Sequence, residues 1–138
     1  GRNQPLYTPE VDLYGANGQL FKAKSLTELV TIGSSLATKD TVIQMPAGAV
    51  VLGVSVRNTA TITGAGCAGY TVGDSGSATR FSTATVPVTD AATDAGTKAG
   101  AYYNAAALEV RLTATGANFT GGSIRVTIHY YTVTPPTS

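Results

Sequence analysis

Ile124-Arg125-Val126-Thr127-Ile128-His129-Tyr130-Tyr131 decides the fold. Every second residue (Ile124, Val126, Ile128, Tyr130) is large and apolar, and Arg125, Thr127, His129 and Tyr131 lie between them. Strand side chains point alternately to two faces, so this period of two predicts a strand with one face in a core. Upstream, Leu108, Val110 and Leu112 alternate with Glu109, Arg111 and Thr113 in the same way. Val50, Leu52, Val54 and Val56 alternate with Val51, Gly53, Ser55 and Arg57, which makes the even-numbered set the apolar face. Shorter strands over residues 29–32, 41–45, 59–63, 69–72 and 83–88 bring the number to about eight. Gly64-Ala65-Gly66, Gly73-Asp74-Ser75-Gly76 and Gly121-Gly122 supply turns between them. Many short strands with regular turns predict an all-β fold, a single antiparallel β-sandwich of jelly-roll type over residues 26–138. A short helical turn is expected at residues 25–28, with Ser25 capping and Glu28 reaching back.

Residues 1–25 read differently. Pro5 and Pro9 lack a backbone donor and favour extended geometry. Leu6, Tyr7, Val11, Leu13, Tyr14, Leu20 and Phe21 are spaced as neither a clean helix nor a clean strand, and Gly15-Ala16-Asn17-Gly18 reads as a turn. The expectation is an extended N-terminal arm whose tyrosines and leucines seek a surface, either on its own domain or on a neighbour. Residues 89–107 are rich in small side chains and weakly periodic, and read as a surface loop with some strand.

Composition narrows the chemistry. The chain of 138 residues is one domain, with 43% hydrophobic residues and only 12% charged. Nine lysines and arginines against eight aspartates and glutamates leave a net charge of +1, without the basic stripe of a nucleic-acid binder. The longest nearly apolar run, residues 47–56, is about half of what a membrane helix requires. One cysteine, Cys67, excludes an internal disulfide and a multi-cysteine zinc site. His129 is the single histidine, and no serine sits in a nucleophile elbow, so no catalytic residue is assigned and the chain is read as a non-enzyme. His129 reads as a strand residue at a sheet face or subunit interface. Asp90 and Asp94 fall short of a calcium loop, and no metal or cofactor is expected. Tyr102, Tyr103 and Asn104 combine aromatic faces with an amide and are the candidate glycan-binding residues, with anchoring of the loop as the alternative role. Glu109, Arg111 and Arg125 lie on outward positions and would form cross-strand ion pairs if their strands were neighbours.

Further motifs carry a resemblance. They are Asp40-Thr41-Val42-Ile43-Gln44-Met45-Pro46-Ala47-Gly48-Ala49-Val50-Val51-Leu52-Gly53-Val54-Ser55-Val56-Arg57, then Val72-Gly73-Asp74, Thr79-Arg80-Phe81 and Ala101-Tyr102-Tyr103, and the run from Leu112 to Tyr130. In this order they resemble a module of bacteriophage tail-fibre, head-fibre and gene-transfer-agent spike proteins, over roughly residues 26–137. The resemblance implies a β-rich, often trimeric virion surface protein with no catalytic residues to carry over. With only an arm before the module, the expected protein is a homotrimeric capsid decoration protein on the virion surface, assembled in the host cytoplasm. Its arm residues Leu6, Tyr7, Val11, Leu13, Tyr14 and Phe21 would hold the major capsid protein. The alternative is a host-receptor domain that binds a surface glycan; neither reading involves nucleic acid or membrane.

Overall fold

The computed structural model describes residues 10–137. These form β1 (Glu10–Tyr14), β2 (Leu20–Ile32), β3 (Thr38–Met45), β4 (Ala49–Thr63), β5 (Gly69–Gly73), β6 (Val86–Pro87), β7 (Thr93–Asp94), β8 (Tyr102–Asn104), β9 (Leu108–Thr115) and β10 (Gly121–Thr134), with no helix among the described residues. The larger sheet has the order β1-β2-β10-β4-β7, with β8 also pairing β4; the smaller has the order β3-β9-β5-β6. Every strand pair is antiparallel.

The core lies between the two sheets. Val30 of β2, Val51, Val54 and Val56 of β4, and Ile124, Val126 and Ile128 of β10 form one buried cluster with Met45, Tyr70, Val72, Val110 and Leu112 of the smaller sheet and with Phe81 and Phe119 from the connecting segments. The alternation expected for β9 and β10 places Val110, Leu112, Ile124, Val126, Ile128 and Tyr130 inside. In β4 it does not hold throughout. His129 pairs Gly53 and Tyr130 pairs Val51, so Leu52 is an extra residue opposite β10. This bulge reverses the faces. Before it Val51 is buried, after it Val54 and Val56 are, and Leu52 is 44% exposed on the outer side.

The helical turn expected at residues 25–28 is absent, because this segment lies inside β2, where Ser25 pairs His129 and Glu28 pairs Val126. Pairing along a long strand overrides a local cap. The Glu28 carboxylate instead accepts the Val42 and Ile43 N–H groups of β3 at 2.8 and 2.9 Å and ties the two sheets together. The arm boundary expected at residue 25 also falls inside β2. Residues 10–24 are a hairpin joined to the sheet, closed by the Gly15 N–H on the Gln19 carbonyl at 2.9 Å. Leu6 and Tyr7 lie outside the described residues.

Asn58 is the polar pin of the core. It is fully buried, its side-chain amide donates to the Pro87 and Thr89 carbonyls at 2.8 Å each, and its Oδ1 accepts the Tyr70 hydroxyl at 2.7 Å. Burial, aided by the Asp94 carboxylate, pushes the Tyr70 phenol well above its ordinary value, so it stays a neutral donor. Asn58→Ala removes three hydrogen bonds and leaves the buried Tyr70 hydroxyl without its partner, and should cost about 2–3 kcal/mol in urea unfolding, whereas Tyr70→Phe should cost only about 1 kcal/mol.

Candidate docking surface

The end of the larger sheet inverts the usual distribution of apolar and polar residues. β10 pairs β2 as far as Thr134↔Leu20 but pairs β4 only as far as Tyr131↔Val50. Beyond that point β1, β2 and β10 continue as a three-stranded ribbon, by roughly 10 Å at a strand's rise. Directly opposed residues share a face. The register therefore sets Leu13, Phe21 and Val133 in one row and Val11, Ala23 and Tyr131 in the next, all on the outer face. Phe21 stacks on Tyr131 with centroids 5.0 Å apart. Val11 and Leu13 are each 58% exposed, Phe21 37% and Val133 63%. A groove of about 430 Å³ beside Leu52, His129, Val11 and Ala23 continues this surface toward the bulge in β4.

The opposite side of the ribbon is charged. Lys22 lies 3.4 Å from Glu10 and 3.7 Å from Asp12, and Lys24 lies 3.2 Å from Glu10. The hydrogen bond from Lys24 is the main cause that holds the Glu10 carboxyl below its ordinary value. The residues expected to form the adhesive arm therefore divide. Val11, Leu13 and Phe21 come together on one face, and Tyr14 lies on the other, its hydroxyl 3.5 Å from Asp12. Val133 was missed, because its place in the patch depends on register across 112 residues of sequence from Phe21. Its signal was the last apolar residue of the Tyr131-Thr132-Val133 alternation.

Toward the middle of the sheet the same face becomes hydroxyl-rich and then cationic. Thr127 and Thr27 lie 3.2 Å apart, and Ser55 Oγ lies 2.9 Å from His129 Nε2. In catalytic serine–histidine pairs the base is characteristically oriented by a third group. His129 makes no ion pair with a described carboxylate and sits exposed on a sheet face. Arg125 faces Arg57 in register. Glu109 and Arg111 do not meet Arg125, because β9 belongs to the other sheet; Arg111 instead grips Asp40 of β3 at 2.8 and 3.1 Å.

The candidate glycan residues are largely held by the protein itself. Asn104 is buried and donates to the Met45 and Pro46 carbonyls at 2.8 and 3.0 Å. Tyr102 has the Arg80 guanidinium 4.2 Å above its ring and meets Phe81 edge-on. Tyr103 is 62% exposed. Among the described residues no cluster of three histidine, cysteine or carboxylate side chains could hold a metal ion.

Asp74 and Arg80 explain why Tyr102 is fixed. The Asp74 side chain is completely buried, and Arg80 donates to it from Nε at 2.6 Å and from Nη2 at 3.2 Å. The Gly76 and Ser77 N–H groups donate to Oδ1 at 2.8 and 3.0 Å. Gly73 is required beside them, since a Cβ there would lie 2.0 Å from the Ser77 carbonyl oxygen. Asp74, Arg80, Phe81 and Tyr102, which fall in three separate motifs of the sequence, thus form one cluster.

No family model matches the chain, and no curated protein matches it. Among solved structures it is similar to a chain of the Cyanophage Pam1 capsid asymmetric unit, with a TM-score of 0.57 and 26% identity over 94% of each chain. The chain thus shares its fold with a component of a phage capsid asymmetric unit.

Burial by itself would raise the Asp74 carboxyl, but Arg80 and the Ser77 and Gly76 N–H groups outweigh it and hold it below its ordinary value. Such a carboxylate contributes stability above its unfolded pKa of about 3.9, and that stability is lost as pH falls through the lower folded value. Stability should therefore decline on acidification below about pH 4, and Asp74→Asn should flatten this limb of the pH profile while lowering stability at neutral pH. Arg80→Ala should cost about 2–3 kcal/mol by thermal or urea unfolding, below the range for a fully buried pair because Arg80 keeps some contact with water.

Proposed function

We propose that this chain is a non-enzymatic structural protein of a bacteriophage virion that decorates the capsid surface as a homotrimer. In this reading the outer face of the β1–β2 hairpin docks on the major capsid protein. The observation that carries it is the apolar patch of Val11, Leu13, Phe21 and Val133, exposed on the ribbon that continues past the end of the β4 pairing. Apolar residues contiguous on a surface mark an interaction site. The likeness to a chain of a cyanophage capsid asymmetric unit supports a place in the virion. The strand orders favour a jelly roll: β2-β10-β4-β7 faces β3-β9-β5-β6, and the chain crosses repeatedly between the two sheets. Three hairpins on one closed trimer would raise the effective concentration of each contact, so a weak single contact would suffice for stable attachment.

Burying a leucine, phenylalanine or valine side chain contributes about 2 kcal/mol. Leu13→Asp in every copy should therefore weaken co-sedimentation with heads that lack the protein by more than about tenfold. The variant should unfold at nearly the wild-type temperature, because Leu13 is exposed. Tyr103→Ala should leave head binding unchanged. Wild-type protein that binds host cells and not heads would refute the reading. Sedimentation equilibrium of the purified chain checks the trimer.

A further inference from the structure

The cationic end of the outer face has no internal explanation. Arg57 and Arg125 are direct register partners on β4 and β10, and both are exposed. Like charges directly opposite each other across two strands are destabilising. Among the described residues no aspartate or glutamate makes an ion pair with either arginine. The chain has eight aspartates and glutamates, and all lie among the described residues. Glu10 and Asp12 are paired with Lys22 and Lys24, Asp40 with Arg111, and Asp74 with Arg80. Glu28 holds the β3 backbone and Glu109 the Gln44 side chain. Asp94 lines the same depression, but it pairs in register with Val56, and its Oδ1 accepts the Gly96 N–H at 2.7 Å. Asp90 is exposed in a turn and makes no ion pair with a described residue.

The surroundings suit an oxyanion. The two arginines, with Ser55, Thr93 and Thr127, line an open depression of about 340 Å³. Guanidinium groups are planar donors that accept nothing, and they hold carboxylates through paired N–H contacts. Two cations on a chain of net charge +1 do not form the track that a nucleic-acid backbone requires. The site also lies on the same face as the apolar ribbon. From Arg125 to Val133 is about 26 Å along β10 at a strand's rise. Arginine is enriched in protein interfaces, where apolar anchors and polar contacts lie on one surface.

We propose that Arg57 and Arg125 form an oxyanion site that takes an acidic side chain of the protein surface on which the hairpin docks. The identity of the partner rests on the docking reading above; carboxylate binding itself does not.

The first test is thermal unfolding of the full chain in glutarate, in sodium sulfate and in sodium chloride at matched ionic strength. Glutarate should raise the wild-type melting temperature saturably by a few degrees, and should not do so for the Arg57→Gln/Arg125→Gln double variant. In chloride that variant should be at least as stable as the wild type, because the repulsion is gone. An equal response of both proteins to glutarate, or a double variant destabilised in chloride, overturns the site. A sulfate effect larger than that of glutarate overturns the carboxylate assignment in favour of sulfate or phosphate groups. The second test is head binding: Arg57→Glu/Arg125→Glu should weaken it more than tenfold. Unchanged binding of that variant, with wild-type protein bound, overturns the partner assignment. If wild-type protein binds no heads, the docking reading fails and the glutarate test alone decides the site.

Discussion

The unequal pairing of β10 with its two neighbours shapes the rest of the molecule. With β2 the ladder runs unbroken from Gly122↔Ile32 to Thr134↔Leu20, whereas with β4 it is interrupted by bulges and ends at Tyr131↔Val50. Within the stretch shared by all three strands, Ile124, Val126 and Ile128 face the smaller sheet and are fully buried. At and beyond the end of that stretch the character of the two faces changes. The inner positions Lys24, Lys22, Glu10 and Asp12 then carry charge, and the outer positions carry Leu13, Phe21, Tyr131 and Val133. One continuous strand thus serves a core at one end and an exposed apolar surface at the other.

Much of this was legible in the alternation of β9 and β10, because a strand buried on one face writes its period directly into the sequence. The β4 pattern was legible as a strand, and Val54 and Val56 face inward as expected, but ahead of the bulge the inward residue is Val51 rather than Val50 or Leu52. A single extra residue at Leu52 shifts every later side chain to the other face, and no local signal marks it. The helical turn at residues 25–28 was misread for a related reason. Ser25 and Glu28 satisfy a capping pattern locally, yet pairing with β10 and the reach of Glu28 to β3 decide the conformation. The hairpin itself alternates Glu10-Val11-Asp12-Leu13, but the apolar set faces outward, contrary to the usual inference from period two.

The candidate surface was legible only in part. Val11, Leu13 and Phe21 stood out as large apolar residues near the start of the chain, but Tyr14 belongs to the other face and Val133 enters only through register. The Arg57–Arg125 pair joins residues far apart in sequence and becomes visible only once β4 and β10 are aligned. The Asp74–Arg80 pair lies within one loop, and it holds Arg80 over one face of the Tyr102 ring. In the proposed reading these placements extend the docking surface from the expected arm residues to the outer face of the larger sheet, and the loop around Tyr102 remains the alternative.

The central claim is that this outer face is covered in the virion. Hydroxyl-radical footprinting of the protein, free and bound to heads, measures that coverage residue by residue. The account predicts strong protection of Leu13, Phe21 and Val133 on binding and unchanged reactivity of Tyr103. Protection centred on Tyr103, with Leu13 and Phe21 as reactive as in the free protein, would contradict it.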